Sequence, residues 1–189
     1  MNSSFFSEED LERLGFKSIG KNVFISRKAS IYGAENITIG NNVRIDDFCI
    51  LSGTITIGNY IHVAAYTALY GGNSGIEIND YANISSRVCI YALSDDYSGE
   101  SMTSPMIPDE YKQIVEKRVI VEEHVIIGTG TTILPGVCLA QGTAIGAMSL
   151  VKKSTNTWTI YAGIPVKPIS NRLKKVLELK KQFEKETNG

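Results

Sequence analysis

VEEHVI-IGTGTT-ILPGVC-LAQGTA-IGAMSL-V spans residues 121–151, and its spacing decides the fold. Aliphatic residues recur six apart at Val121, Ile127, Ile133, Leu139, Ile145 and Val151. Four residues after each anchor stand Val125, Thr131, Val137, Thr143, Ser149 and Thr155, all small or β-branched. A step of six matches neither the helical period nor the sustained alternation of a long strand, so the chain must turn a corner once per hexad. Three hexads then close one triangular coil. The anchor points into the prism, and the smaller residue fits beside it where two walls converge.

The same step runs outward from this stretch. It appears at Ile78, Ile84 and Ile90, at Ile39, Ile45, Leu51, Ile57, Val63 and Leu69, and at Ile19, Ile25, Ile31 and Ile37. Nineteen hexads make about six coils. Gly40-Asn41-Asn42 and Gly58-Asn59 supply the corners with residues suited to turns. A sandwich of short strands would show hairpin signals and a period of two instead. An open first coil needs a cap, and Ser7-Glu8-Glu9-Asp10 before Leu11 and Leu14 reads as a short capped helix. From about Ser170 the spacing of Leu173, Val176, Leu177, Lys180 and Phe183 predicts a C-terminal helix, read as a solvated tail that packs on the prism. The expected organisation is a single mainly β domain over 1–189. It comprises a helical cap at 1–18, the coiled region at 19–169 with an inserted loop at about 94–118, and a helix at 170–189.

Composition narrows the function. The 189 residues carry 43% hydrophobic side chains, enough for one core, and 19 Lys plus Arg against 20 Asp plus Glu give a net charge of -1. That balance lacks the positive field of a nucleic-acid binder. No apolar run approaches membrane-spanning length, and Met1 to Glu12 is polar and acidic where a signal peptide would be basic and then apolar, so a cytoplasmic protein is expected. Cys49, Cys89 and Cys138 fit neither a disulfide framework nor a zinc site and read as reduced core residues.

A regular prism is a scaffold, so chemistry is expected where the repeat breaks. The smaller break, Tyr70-Gly71-Gly72-Asn73-Ser74-Gly75, reads as a surface turn bulging from a corner. The larger runs from about Ser94 to Arg118 and includes Ser94-Asp95-Asp96-Tyr97-Ser98-Gly99-Glu100. A loop of that length in a compact domain is functional or disordered, and its aromatic content argues for function.

The hexads and the loop resemble the hexapeptide-repeat acyl-CoA-dependent acyltransferases. That resemblance implies a left-handed parallel β-helix and an acyl-CoA co-substrate. It also implies a homotrimer in which each active site lies between two subunits. Where such relatives carry a catalytic His at the loop entry, this sequence has Asp95, a departure it shares with the nucleotide-amino-sugar N-acyltransferases. The resemblance therefore implies transfer to the amine of a nucleotide-linked sugar, such as a dTDP-4-amino-4,6-dideoxy sugar. A hydroxyl acceptor needs a strong general base, usually His. A neutral amine is already nucleophilic, and positioning supplies much of the rate. Asp95 would orient and deprotonate the amine, with like-charge repulsion from Asp96 raising the Asp95 carboxyl pKa. Ser85, Ser86, Asp96 and Glu100 would contact the substrate.

Gly128-Thr129-Gly130 and Gly146-Ala147-Met148 lie one coil apart on the same edge, where small side chains leave a groove for the pantetheine arm. On the resemblance, Lys153 and Lys167 face the CoA phosphates, and a backbone N–H near Gly128 or Ala147 supplies an oxyanion donor. His124, at a corner just after the loop, is a further substrate-contacting candidate, whereas His62 lies far from the loop. Trp158 is expected to pack at the end of the last coil. Two alternatives stay open: saccharide O-acetylation with His124 or water as base, and a noncatalytic β-helix. A metal site would need clustered His ligands, which two isolated histidines do not provide.

Overall fold

The computed structural model describes residues 4–187. The expected domain limits at 1–3 and 188–189 lie outside the described residues. The chain winds into a left-handed parallel β-helix of triangular section. Its second wall stacks seven parallel strands, from Val23–Ile25 through Val43–Ile45, Ile61–Val63, Asn83–Ile84, Ile126–Ile127 and Ala144–Ile145 to Thr159–Gly163. The first wall rises from Ser18–Ile19 to Cys138–Leu139, and the third from Ser30–Tyr32 to Leu150–Val151, with six rungs each. Six coils are thus met on two walls and exceeded by one rung on the other.

The anchors fill the prism. Ile45, Leu51, Val63, Leu69, Ile84, Ile90, Ile127 and Leu139 are wholly buried, as are the small partners Thr131 and Thr143. Ile37 and Ile39 share one strand, so Ile37 does not open a separate rung, and Tyr161 supplies the missing one at the top. Helix α1, Glu8–Arg13, caps the first coil. Ser7 accepts from the Asp10 N–H while the Asp10 carboxylate accepts from the Ser7 N–H, and Leu11 is buried.

Several details differ from the pattern reading. Residues 70–75 carry the extra residues at a corner, as expected, but within the long strand Ala68–Ile78: its register against Ile50–Ile57 shifts twice as it bends at Gly72 (φ 52°) and Gly75 (φ 89°) to pass from the third wall to the first. There Asn73 donates its N–H and its amide to Glu116, at 3.3 and 3.1 Å. Residues 166–171 form a strand, Val166–Asn171, antiparallel to Thr159–Gly163, and helix α2 begins only at Lys175 and runs to Thr187. A hairpin containing Pro165 and Pro168 cannot enter a helix directly. Helix α2 has no buried residue and packs on the prism as expected: Tyr81 donates to Glu184 at 3.0 Å and Lys180 pairs with Glu123. Only Cys49 is a core cysteine; Cys89 and Cys138 occupy outward strand positions and are half-buried. Among the described residues, no helix is long and apolar enough to cross a membrane.

Candidate active site

The long loop leaves and rejoins the prism as a two-stranded clasp, Leu93–Ser94 against Val115–Glu116. Because Glu116 also holds Asn73, the two interruptions of the repeat meet at the foot of the loop. Asp95 follows directly and is exposed at the rim of a cleft of about 660 Å³. Tyr70, Tyr91, Leu93, Tyr97, Ile114 and Leu134 contribute to its lining, and the Tyr70 and Tyr91 rings stack at 5.0 Å. Ser94 and Thr132 add hydroxyls to this mainly aromatic and aliphatic lining, and the carboxylate at its rim suits a ligand that presents a polar hydrogen donor.

Asp96 does different work. Its Oδ1 accepts from the Ser98 N–H at 2.8 Å, and its Oδ2 accepts from the Glu100 and Ser101 N–H groups and the Ser101 hydroxyl. Bonds from Ser98 and then Ser101 hold its pKa down to about 2. Asp96 therefore pins the loop instead of lining the cleft. Glu100 is exposed on the same turn, with its N–H spent on Asp96 and Ser98.

Ser85 and Ser86 lie at the corner between the second and third walls, the far edge of the wall from which Asp95 departs. Ser86 and Thr129 hydroxyls meet at 3.0 Å across successive coils, and the Ser86 carbonyl accepts from Thr129 Oγ1 at 2.6 Å. One chain thus joins Asp95 to the aromatic cleft and Ser86 to Thr129, but leaves a full wall between the two groups.

Above Ser86 the same edge carries Gly128, Gly146, Ala147 and Ala162. A Cβ on Gly128 would lie 2.5 Å from the Ala147 nitrogen, and one on Gly146 would lie 2.9 Å from the Ala162 Cβ, so bulk is excluded by neighbouring coils. The result is a small-residue edge at which successive coils stack backbone against backbone, where the pantetheine groove was expected. The Gly128 N–H donates to Ile145 O at 2.8 Å and is not available to an oxyanion. Lys167 pairs with Ala162 in the terminal hairpin and stands exposed at the top of this edge. Lys153 is exposed too, but follows the Leu150–Val151 strand at the opposite edge of the third wall.

His124 is not at the groove. It is 4% exposed, lies at the corner between the first and second walls and is covered by α2. The hexad count placed it at a corner correctly, but a one-dimensional count does not show which corner a later helix covers. His62 is half-buried on the second wall and bonded to Asp46 at 2.8 Å. Trp158 packs over Gly142. Among the described residues, no three His, Cys, Asp or Glu side chains gather as a metal site.

Pattern reading missed one feature. Directly below Ser85–Ser86 on the same edge, Phe48 and Tyr66 stack at 4.9 Å with both rings half-exposed, and Arg87 lies over Tyr66 at 5.9 Å. Phe48, Tyr66 and Arg87 occupy left-handed backbone positions (φ 61°, 64° and 60°) that Gly or Asn would fill more easily. Large residues at three successive levels of such a corner were the available signal.

A triangular β-helix broken by one long loop, with small residues along one edge, defines the hexapeptide-repeat acyltransferase class. No family model matches the chain. It is 50% identical over 189 residues to the dTDP-4-amino-4,6-dideoxy-D-glucose acyltransferase of Escherichia coli, covering 98% of each chain. Its structure matches AntD, an N-acyltransferase from Bacillus cereus, in complex with dTDP and 3-hydroxybutyryl-CoA, with a TM-score of 0.97, 56% identity and 100% of both chains covered. A serine-to-cysteine variant of AntD in complex with dTDP-4-amino-4,6-dideoxyglucose and coenzyme A matches at TM-score 0.96 and 54% identity, covering 98% of this chain and 100% of that one. The chain belongs to the dTDP-4-amino-4,6-dideoxyglucose acyltransferase family.

Proposed function

We propose that this protein transfers an acyl group from acyl-CoA to the 4-amine of dTDP-4-amino-4,6-dideoxyglucose, in the cytoplasm and as a homotrimer. The observation that carries this reading is Asp95, a carboxylate at the rim of the loop's aromatic cleft where a hydroxyl acylator would need an imidazole. The amine nitrogen attacks the thioester carbonyl, a C–N bond forms, and nitrogen becomes cationic in the tetrahedral intermediate. Asp95 accepts an N–H hydrogen bond in the ground state and stabilises that cation more strongly as it develops. Collapse breaks the C–S bond, and the ammonium proton leaves through the carboxylate to the departing sulfur, giving an amide and free CoA thiol.

The pantetheine arm would lie along Gly128, Gly146 and Ala147, with Lys167 at its phosphate end. Ser85 and Ser86 would contact the sugar, and the Phe48–Tyr66–Arg87 column would take the nucleoside diphosphate by stacking and charge. Asp95 and Ser85 stand a wall apart in one chain, which supports a trimer in which one subunit's loop meets its neighbour's groove.

The test is CoA-thiol release with amino and hydroxyl nucleotide sugars, on the parent protein and Asp95→Asn. Turnover is expected only with amino sugars, falling about 10²–10⁴-fold in the variant. Equal rates would remove Asp95 from the mechanism, and turnover of hydroxyl sugars alone would establish O-acylation. Mixing Asp95→Asn with a groove-blocked Gly128→Val protein should restore activity if sites are shared, because some sites would combine an intact loop with an intact groove.

A further inference from the structure

The corner between the first and second walls carries Tyr60, Tyr81, His124 and Trp158 at φ of 56°, 60°, 60° and 51°. Lower levels of the same corner hold Asn22 and Asn42, the expected occupants of left-handed backbone. The aromatic residues form a stacked column instead, with Tyr60 and Tyr81 at 5.0 Å and Tyr81 and His124 at 5.3 Å. Helix α2 lies on that column. Phe183 meets Tyr60 edge-on at 5.2 Å, and Lys180 stands 5.0 Å above the Tyr81 ring. Between them, Val176, Leu179 and Lys180 close a cleft of about 400 Å³ over His124.

His124 is buried there with a polar atom that nothing satisfies: its Nε2 makes no hydrogen bond to any described group. Glu123 Oε1 is 3.9 Å away, beyond bonding range, and the Glu123 carboxylate is engaged by Lys180 and Gln141. The other charged groups around the ring are Lys180 and Glu184 on α2, Arg172 just before it and Asp80 below it. Asp80 spends its carboxylate on Asn59, and its carbonyl accepts the His124 N–H. Arg172 donates from Nη1 to the carbonyls of His124 and Gly142, and from its N–H to Trp158 O at 2.7 Å. Trp158 opens directly into the hairpin Thr159–Gly163/Val166–Asn171, which carries Ala162 and Lys167 at the upper end of the groove.

We propose that His124 is a pH-sensitive latch on the C-terminal helix: protonation of its Nε2 releases α2 from the aromatic column and, through Arg172, loosens the hairpin at the acyl-CoA groove. The second half rests on the acyl-CoA reading of that groove. Burial disfavours the imidazolium and outweighs the attraction of Glu123, so the pKa of docked His124 lies below its ordinary value of 6.5. Undocking exposes the ring and restores that value. Docking is therefore strongest above pH 6.5 and weakens as pH falls, by at most about tenfold per unit, until the docked pKa is reached.

The test measures hydrogen–deuterium exchange of α2 amides, corrected for intrinsic rates, at pH 8 and pH 5.5. It is run on the full-length parent and on His124→Tyr, whose ring the column already accepts at Tyr60 and Tyr81. Several-fold faster α2 exchange at pH 5.5 is expected in the parent and not in the variant. Unchanged α2 exchange in the parent would overturn the latch even if the variant did not fold. CoA binding is titrated in parallel, and the parent-to-variant ratio of Kd should rise several-fold at pH 5.5 and return to about one at pH 8. An α2 response without that rise would overturn the transmission through Arg172. Lys167→Ala tests the groove assignment separately: if it binds CoA as tightly as the parent at both pH values, the groove reading fails, whatever the helix does.

Discussion

Replacing Gly128 with alanine tests coil stacking and groove together. The new Cβ would sit 2.5 Å from the Ala147 nitrogen and 2.8 Å from its Cα, where ordinary contact begins at 3.4 Å. Both atoms are backbone, so no rotamer change relieves the overlap, and the two coils must part locally. The bonds opposing that movement are Gly128 N–H to Ile145 O and Met148 N–H to Thr129 O, each 2.8 Å. Overpacking of this kind costs about 1–3 kcal/mol, and weakening one such bond adds about 1 kcal/mol. Gly128 is not at positive φ, so alanine suits its backbone and recovers about 0.5 kcal/mol by restricting the unfolded chain. The net loss is about 1.5–3.5 kcal/mol, or about 3–14 °C in Tm for a chain of this size. Thermal unfolding followed by circular dichroism measures it, with KM for acyl-CoA expected to rise in parallel. A Tm within about 2 °C of the parent would refute the claim that this edge is limited by backbone contact.

Asp96→Asn should free the loop, seen as faster exchange of the Ser98, Glu100 and Ser101 amides at neutral pH. Because the Asp96 pKa is depressed to about 2 from 3.8, its hold on the loop is complete above the ordinary carboxylate value. That hold should be lost in the parent only as pH falls through about 2. The Cys49 thiol, pushed up to about 11 by burial, should resist iodoacetamide at pH 8 until the protein unfolds, and rapid labelling in the native state would contradict its inward placement. Ile127→Ala removes a wholly buried anchor and should cost about 2–5 kcal/mol in urea unfolding, whereas a cost under 1 kcal/mol would mean that the hexad anchors do not carry the core.

The anchors were legible because inward and outward are fixed by position along the chain: each hexad sends its first residue to the axis whatever its neighbours do. The capping box at Ser7 and Asp10 was legible for the same reason, since both partners lie within one turn. Cys89 and Cys138 were misread because an apolar-looking residue one place before an anchor points out of the wall, as strand alternation requires. The role of Asp96 was equally invisible, because its three N–H donors belong to an irregular loop whose path no periodicity describes.

By itself, the sequence determined the triangular coil, its rungs, the place of the loop and the small-residue edge, all consequences of a local repeat in which near neighbours decide burial. Only the tertiary structure decided which groups share a corner. It set Asp95 a wall away from Ser85, buried His124 under α2, and stacked Phe48, Tyr66 and Arg87 below the groove. Those relations join residues one or more coils apart or across separate elements, and they depend on how successive coils align and where the terminal helix comes to rest.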